Sequence, residues 1–378
     1  MAINVETEDP LMQLEKHLAA QVILEDRSGT FDMCDGPEAQ VLAPFMELHS
    51  ALQWLEAKVT EPWRAADQKA LRSQSHHRKL ARTAIAAGTA AIVLAVVQLS
   101  IKLTWPEGTD LALILEAIAV VAAFAAVAGG LIAKYDRQWL GQRHFAERLR
   151  MLKFRALEEI SRHDLTSWQK WVEAQLEELK GADDFEHVKQ WSEEGEVEPS
   201  DPPFKDCAPD SGFAQALTIY YQSKRLGFQA NYFKSRRDTY MRLTGGWRRR
   251  LNLPLFLASV ICVLAHFATE FRVRHLLDVG EVDDAEFWHN AGIWFVALAA
   301  VIPLLGIGVR AWFAAFELPR SASLFAAKHR ALVRASAHLG ENPNNAAETL
   351  RHMAQDEHFL EHEHREWLRL LLDTEWFL

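Results

Sequence analysis

Arg143, Glu147 and Arg150 recur at four- and three-residue spacing in KYDRQWLGQRHFAERLR. On a helix that spacing puts all three on one face, where a single carboxylate can bridge two guanidiniums or reach a neighbouring helix or subunit. The clusters YFKSRR and GWRRRL add Arg236, Arg237, Arg248, Arg249 and Arg250. Their forked donors suit a phosphate or carboxylate ligand, and equally the anionic headgroups of a lipid surface. In HFLEHEHREW, His358 and His362 lie one helical turn apart, a spacing that suits a divalent metal. No cysteine or second histidine cluster completes that set, so a solvated helical face competes and no metal or cofactor is expected. No P-loop, dinucleotide-type glycine pattern, G-x-S-x-G or HExxH motif is present, and the chain is not expected to be an enzyme.

Glu116 is a different case, because it stands inside an apolar block. A carboxylate there is costly unless it faces water or a polar partner. It could join Glu107 and Asp110 in an acidic ring at the outer mouth of a pore, or it could pair with Gln98 or Lys102, or snorkel outward.

The elements that must position these groups follow from how the chain separates its residues. Averages of 49% hydrophobic and 24% charged residues would fit an ordinary soluble protein, yet the apolar excess falls in four blocks. Thr83–Leu103 reaches about 31 Å as a helix, enough to cross a hydrocarbon core of about 30 Å. Leu111–Ala133 follows after the short TWPEGTD link, and Leu251–Phe271 and Ala291–Phe316 form a second pair. Thirteen Trp residues, several just outside the blocks, suit membrane interfaces. The alternative for the second pair is buried helices of a soluble bundle.

Basic residues flank the outer ends of each pair: Arg78, Lys79 and Arg82, then Lys134 and Arg137, then Arg248–Arg250, then Arg310 and Arg320. The link of the second pair carries Asp278, Glu281, Asp283, Asp284 and Glu286. By the positive-inside rule, both termini and the central region are cytosolic, in the cytoplasmic (inner) membrane. The acidic N-terminus lacks an apolar core segment, so no signal peptide is expected. Cys34, Cys207 and Cys262 are scattered and predict no disulfide framework.

Within the spans, Ala87, Ala91 and Ala95, and then Ala122, Ala126 and Gly130, recur every four residues. Such stripes form flat faces for close helix approach, within a hairpin or between subunits of a homo-oligomer. Pro303, with Gly306 and Gly308 behind it, predicts either a gating hinge or a static kink.

The remaining sequence reads as helical throughout. We divide the chain into a cytosolic helical region (1–80), a first hairpin with its following helix (81–180), an acidic linker (181–212), a basic helix with the second hairpin (213–320) and C-terminal cytosolic helices (321–378). The two halves share a plan and look like a diverged duplication. The fold class is all-α, an integral membrane protein of two transmembrane hairpins. Glu and Trp interspersed through the basic helix argue against nucleic-acid binding.

WLGQRHFAERLRMLKF, directly after a hairpin, resembles the region that follows the second span in bacterial SLATT domains, which are two-span modules. Trp139, Arg143, Ala146, Glu147, Arg150 and Phe154 carry the likeness, and RLGFQANYFKSRRDTYMR before the second hairpin looks like a tandem copy. The resemblance implies a membrane effector of antiphage immunity, whose spans assemble or open on a signal, often a nucleotide. No separate sensor domain is recognisable, so the helical parts or a partner protein would receive the signal. A constitutive channel or transporter, or a membrane scaffold for a soluble partner, are the other readings.

Overall fold

The computed structural model describes residues 46–194, 211–244, 247–315, 318–341 and 346–373. Among them every element is helical and no strand occurs. In chain order the α-helices are α1 (Met46–Leu55), α2 (Glu61–Thr104), α3 (Thr109–Ala133), α4 (Tyr135–Glu159), α5 (Leu165–Glu178) and α6 (Phe185–Glu193). They continue as α7 (Ser211–Tyr221), α8 (Phe228–Thr244), α9 (Trp247–Val279), α10 (Val282–Ala315), α11 (Leu318–Glu341) and α12 (Ala346–Asp373). Two π-helical turns, Glu56–Thr60 and Gln222–Gly227, join α1 to α2 and α7 to α8.

Four helical stretches are long and apolar enough to cross a bilayer: Glu47–Thr104, Pro106–Ala133, Leu253–Val279 and Val282–Trp312. The protein is an all-α, multi-pass membrane protein. Large apolar side chains such as Phe124 and Phe271 are exposed on these helices, as lipid-facing residues should be.

The described residues form two compact units. One, the span unit, comprises Ser75–Tyr135 and Thr239–Ser321. The other, the helical unit, is built from the chain up to Gln74, from Asp136–Asp238 and from the segment beginning at Ala322.

In the span unit, α9 and α10 form a helical hairpin. The sequence suggests a long acidic link between them, whereas the structure continues both helices to a turn at Gly280. No residue between Phe271 and Val279 breaks a helix, and Gly280 takes the left-handed conformation with φ of 85°. Its N–H bonds to the Leu277 carbonyl at 3.2 Å, and the Glu281 N–H bonds to Leu276 at 3.0 Å, the paired arrangement of a Schellman stop. Asp283 and Asp284 then fall in the first turn of α10, where the helix dipole favours negative charge. Ser259 Oγ donates to the Ala299 carbonyl at 3.1 Å, tying the two helices together.

Small residues set close approaches in this unit. Ala91, Ala126 and Gly130 are buried, Ala87 and Ala122 are half-buried, and Ala95 is exposed. A Cβ on Gly308 would stand 2.6 Å from Thr89 Oγ1, so the Thr89 side chain of α2 packs directly against the α10 backbone there. That contact gives Gly308 a packing role besides its place behind Pro303, which α10 carries without interruption.

In the helical unit, a continuous core joins elements far apart in sequence. Leu48, Leu52 and Leu55 of α1 meet Leu149, Phe154 and Leu157 of α4, with Trp168 and Val172 of α5. Leu217, Tyr220 and Tyr221 of α7, Leu332 of α11, and Leu350 and Met353 of α12 complete it. The helical pattern that the sequence carries from Arg137 to Leu179 is interrupted at Ile160–Arg162. There a 3₁₀ turn leads to Asp164, which caps α5 by accepting from the Thr166 and Ser167 N–H groups at 3.0 Å each. Trp168 is thereby turned inward, and its indole donates to the Ala156 carbonyl at 2.7 Å.

The segment read as an acidic linker contains α6, with Val188 and Trp191 buried. Residues 195–210 lie outside the described ones, as do 1–45 with Cys34, and Cys207. Helix α6 holds because α12 satisfies its last carbonyls: Arg365 Nη1 donates to Trp191 O at 2.7 Å, and Arg369 Nε to Ser192 O at 2.7 Å.

Candidate functional site

The helical unit encloses a cavity of ≈ 370 Å³ among α2, α4, the second π-turn with α8, α11 and α12. Its walls carry six cationic side chains, Arg64, Arg143, Arg150, Arg225, Arg236 and Lys328. Among the described residues, the carboxylates that line it with them are Asp67, Glu147 and Glu363. The aromatic rings of Trp63, Phe228, Tyr232, Phe233 and Trp367 fill the space between these charges.

Helix α4 supplies the centre. Arg143 Nη2 lies 2.6 Å from Glu147 Oε1, and Arg150 Nη1 donates to the two oxygens of Glu147 at 3.0 and 3.2 Å. Arg143 Nη1 reaches across to Asp67 of α2 at 2.6 Å. The one-face spacing therefore produces a network within one chain that ties α4 to α2. Burial by itself would raise the Glu147 carboxyl, but Arg150 and Arg143 beside it hold its pKa down at about 2. Arg150 also lies over the rings of Trp63, at 4.9 Å from the centroid, and Phe228, at 5.6 Å.

The π-turn supplies Arg225. Its extra residue per turn shifts the side-chain register, and π-turns recur at functional sites. Arg225 Nε donates to Glu357 Oε1 at 2.6 Å and Nη2 to Glu357 Oε2 at 2.7 Å, with Tyr221 OH donating to the same carboxylate at 2.9 Å. Arg225 Nη1 and Arg150 Nε are buried without a hydrogen-bond acceptor. Lys328 of α11 pairs with Glu363 of α12 at 2.5 Å and lies over the Phe233 ring.

Beside the cavity, His144 and His364 stack with ring centroids 5.4 Å apart, and His144 Nδ1 is 3.2 Å from His364 Nε2. One ring must donate and the other accept, so at least one proton has to be absent from the pair. Burial, together with the neighbouring Arg143, Lys328 and Arg148 charges, pulls His364 down to about 3, though Glu147 opposes it. His144 is depressed as well, by burial and by His364, Arg148, His187 and Arg365.

The residues singled out along the chain distribute as follows in space. Trp139, Arg143, Glu147 and Arg150 line the cavity, and Phe154 lies behind them in the core. Arg236 also lines it and lies over the Tyr232 ring at 5.2 Å, whereas Arg237 is tied to Asp238 at 2.8 Å. The side chains of Arg248, Arg249 and Arg250 lie outside the described ones. In the span unit, Glu107 and Asp110 are exposed, and Gln98 and Glu116 are half-buried. Among the described residues no hydrogen bond joins Glu116 to Gln98 or Lys102, and one of its carboxylate oxygens is buried with no partner. In HFLEHEHREW, His364 rather than His358 or His362 turns inward. Among the described residues no group of three or more His, Cys, Asp or Glu is arranged to hold a metal.

The sequence alone assigns no site role to Arg64, Arg225, Lys328, Trp63 or Phe228. A signal for Arg225 exists, since it stands four residues after Tyr221 and three before Phe228, on the apolar stripe of its helix.

No family model, curated protein or solved structure matches the chain.

Proposed function

We propose that the protein is a signal-gated membrane effector: a signal received by the helical unit makes the spans assemble or open and breaches the membrane. The observation that carries this reading is the pairing of four bilayer-length helices with a unit holding a charged, aromatic-walled cavity, connected by the chain at Gln74/Ser75, Tyr135/Asp136, Asp238/Thr239 and Ser321/Ala322. A constitutive pore has no need of such a cavity. Differential affinity of a ligand for two arrangements of the helical unit would shift the population of the spans.

The basic flanks support an orientation with both termini and the helical unit on the cytosolic side of a bacterial inner membrane. The resemblance to SLATT modules supports a role in antiphage defence. Assembly into a homo-oligomer belongs to this reading and would use the lipid-exposed faces of the spans, because Ala126 and Gly130 are already covered within one chain. Glu116, with its unpartnered carboxylate oxygen, suits a water-facing position in the assembled spans.

The test is membrane potential in bacterial cells expressing the chain and challenged with a panel of phages. Depolarisation after infection, changed in ion preference by Glu116→Gln, supports gating. Depolarisation without infection would instead establish a constitutive channel. Potential retained through infection by every phage would remove the effector reading and leave a scaffold.

A further inference from the structure

We infer that the projecting end of the α9–α10 hairpin is a contact surface for a second copy of this chain, with α9 of one copy lying against α10 of the next. This deepens the proposed function by naming the surface through which copies assemble, and it rests on that reading only for the consequence of assembly.

The second hairpin outreaches the first. Gly308 of α10 packs against Thr89 of α2. Counted from that contact at the helical rise, the first hairpin turns at Pro106 after about 25 Å and the second at Gly280 after about 42 Å. The end of α9 and the start of α10 therefore run past the turn of the first hairpin.

One face of each helix is taken up by the hairpin itself. Thr269 and Leu276 of α9 and Ala285 and Gly292 of α10 are buried, and a Cβ on Gly292 would stand 2.8 Å from Thr269 Oγ1. Arg274 and Asp278 stand two residues either side of Leu276, and Asp283 and Phe287 two residues either side of Ala285. Two residues turn a helix by about 200°, so these four side chains lie on the faces turned away from the seam. All four are exposed, as is Phe271, three residues before Arg274.

These two faces carry complementary groups that the chain leaves unengaged. Phe271 is 80% exposed and Phe287 66%. Among the described residues, no side-chain hydrogen bond or ion pair holds Arg274, Asp278 or Asp283. Hydrocarbon could cover the rings but not the charges. A second copy supplies an aromatic partner for each ring and a carboxylate for Arg274.

Depth gives the register. Copies in one membrane share an orientation, so α9 of one meets α10 of the next antiparallel, as within the hairpin. Phe271 and Phe287 lie nine and seven residues from the Gly280 turn, hence within about 3 Å of each other in depth. Arg274 and Asp283 lie six and three residues from it, about 4.5 Å apart in depth and within reach of an Arg side chain. Asp278 shares the depth of Asp283, so Arg274 stands between a carboxylate of its own helix and one of the neighbour. Glu281, Asp284 and Glu286 leave the tip acidic overall. The rings must therefore supply the affinity, and the Arg274–Asp283 pair the choice of partner and register. Because the contact joins different faces of two copies, it repeats from copy to copy and gives a ring where the rotation closes.

The experiment uses the full chain carrying either of two tags, co-expressed and purified in mild detergent. Assembly is read as mass by light scattering and as the fraction of one tag retained with the other. The expected result is an assembly of more than one chain, weakened at least tenfold by Arg274→Glu, by Asp283→Arg and by Phe287→Ser. Lys170→Gln, on the exposed side of α5, should leave it unchanged. Combining Arg274→Glu and Asp283→Arg in one chain should restore assembly. Co-expressing the two single variants should restore it too, because alternating copies again face opposite charges. Should one variant fail to fold, the others carry the comparison, with circular dichroism confirming their helicity. A native chain that stays monomeric, or assembly indifferent to all three variants, overturns the surface. Rescue in the double variant without rescue in the mixture places the charge pair within one chain and does the same. Retention of a different protein by a monomeric chain overturns the second copy as occupant. Intact assembly without phage-induced depolarisation leaves the surface and removes the gating; depolarisation by unassembled variants keeps the gating and strips the surface of any part in it.

Discussion

Arg225 grips Glu357 from 132 positions away in the chain, through two hydrogen bonds of 2.6 and 2.7 Å, with each side chain only 1% exposed. Two charges withdrawn so fully from water are tolerable because each satisfies the other and Tyr221 donates a third bond. Removing one partner leaves the other charged and buried. Arg225→Met and Glu357→Gln should therefore each lower the unfolding free energy by roughly 3–5 kcal/mol. The double variant should lose clearly less than the sum, since no orphan charge remains and Gln still accepts from Tyr221. Denaturant unfolding of the purified protein in detergent measures this, and strictly additive losses would refute the pairing.

Gly141 on α4 is fixed by a close backbone approach. A Cβ there would stand 2.0 Å from the Asp183 carbonyl oxygen, so the turn before α6 could not hold its place. Gly141→Ala should destabilise by roughly 1–3 kcal/mol, the range for overpacking. Gly88→Ala is the matched comparison, because nothing lies within 4 Å of its Cβ position, and it should cause no loss. Equal thermal midpoints for the two variants would contradict the approach.

Lys134 is the one non-glycine residue with positive φ among the described ones, at 50°, and it closes α3 with its N–H on the Gly130 carbonyl at 3.0 Å. A side chain in that conformation is disfavoured by about 1–2 kcal/mol. Lys134→Gly should match or exceed the native stability, by up to about 1 kcal/mol. Lys134→Ile should fall below it, because a β-branched residue resists positive φ. Reversal of that order in thermal unfolding would show that the turn takes another form in solution.

Two groups of opposite sign should shape stability against pH. His144 and His364 are held below the ordinary histidine value of 6.5, His364 at about 3, because burial disfavours their charged forms. Their contribution is complete above pH 6.5 and is lost as pH falls below it, when the unfolded chain takes up protons that the folded chain resists. His364→Gln should accordingly flatten the drop in thermal midpoint between about pH 7 and about pH 5. A drop of undiminished size in that variant would clear the ring of responsibility.

Asp356 behaves in the opposite sense. Burial, and then the Glu357 charge, raise its carboxyl from 3.8 to about 7. Its protonated form favours the fold at low pH, and that contribution is lost as pH rises from about 4 through about 7. Asp356→Asn should raise the thermal midpoint at about pH 8 and make little difference at about pH 4. An equal gain at both values would exclude the carboxyl as the cause.

How much could be read along the chain depends on how local each cause is. The face of Arg143, Glu147 and Arg150 is visible because three- and four-residue spacing is a local geometry. Its reach to Asp67 is not, because 76 residues separate the partners. Helix α6 is hidden in a stretch rich in Glu and Asp, since its stability comes from Arg365 and Arg369 on α12. The turn at Gly280 is marked by a glycine ahead of two aspartates, but acidic composition makes the link look longer than it is.

The four apolar helices, and the helical character of what lies between them, are written into the chain itself, because length, hydropathy and periodicity act residue by residue along the backbone. Tertiary packing alone turns Arg64, Arg150, Arg225 and Lys328 toward one cavity, brings Arg225 to Glu357 and stacks His144 on His364. Those pairings arise when amphipathic helices close around a shared core. A charge that reads as surface in one dimension becomes interior once helices distant in sequence cover it.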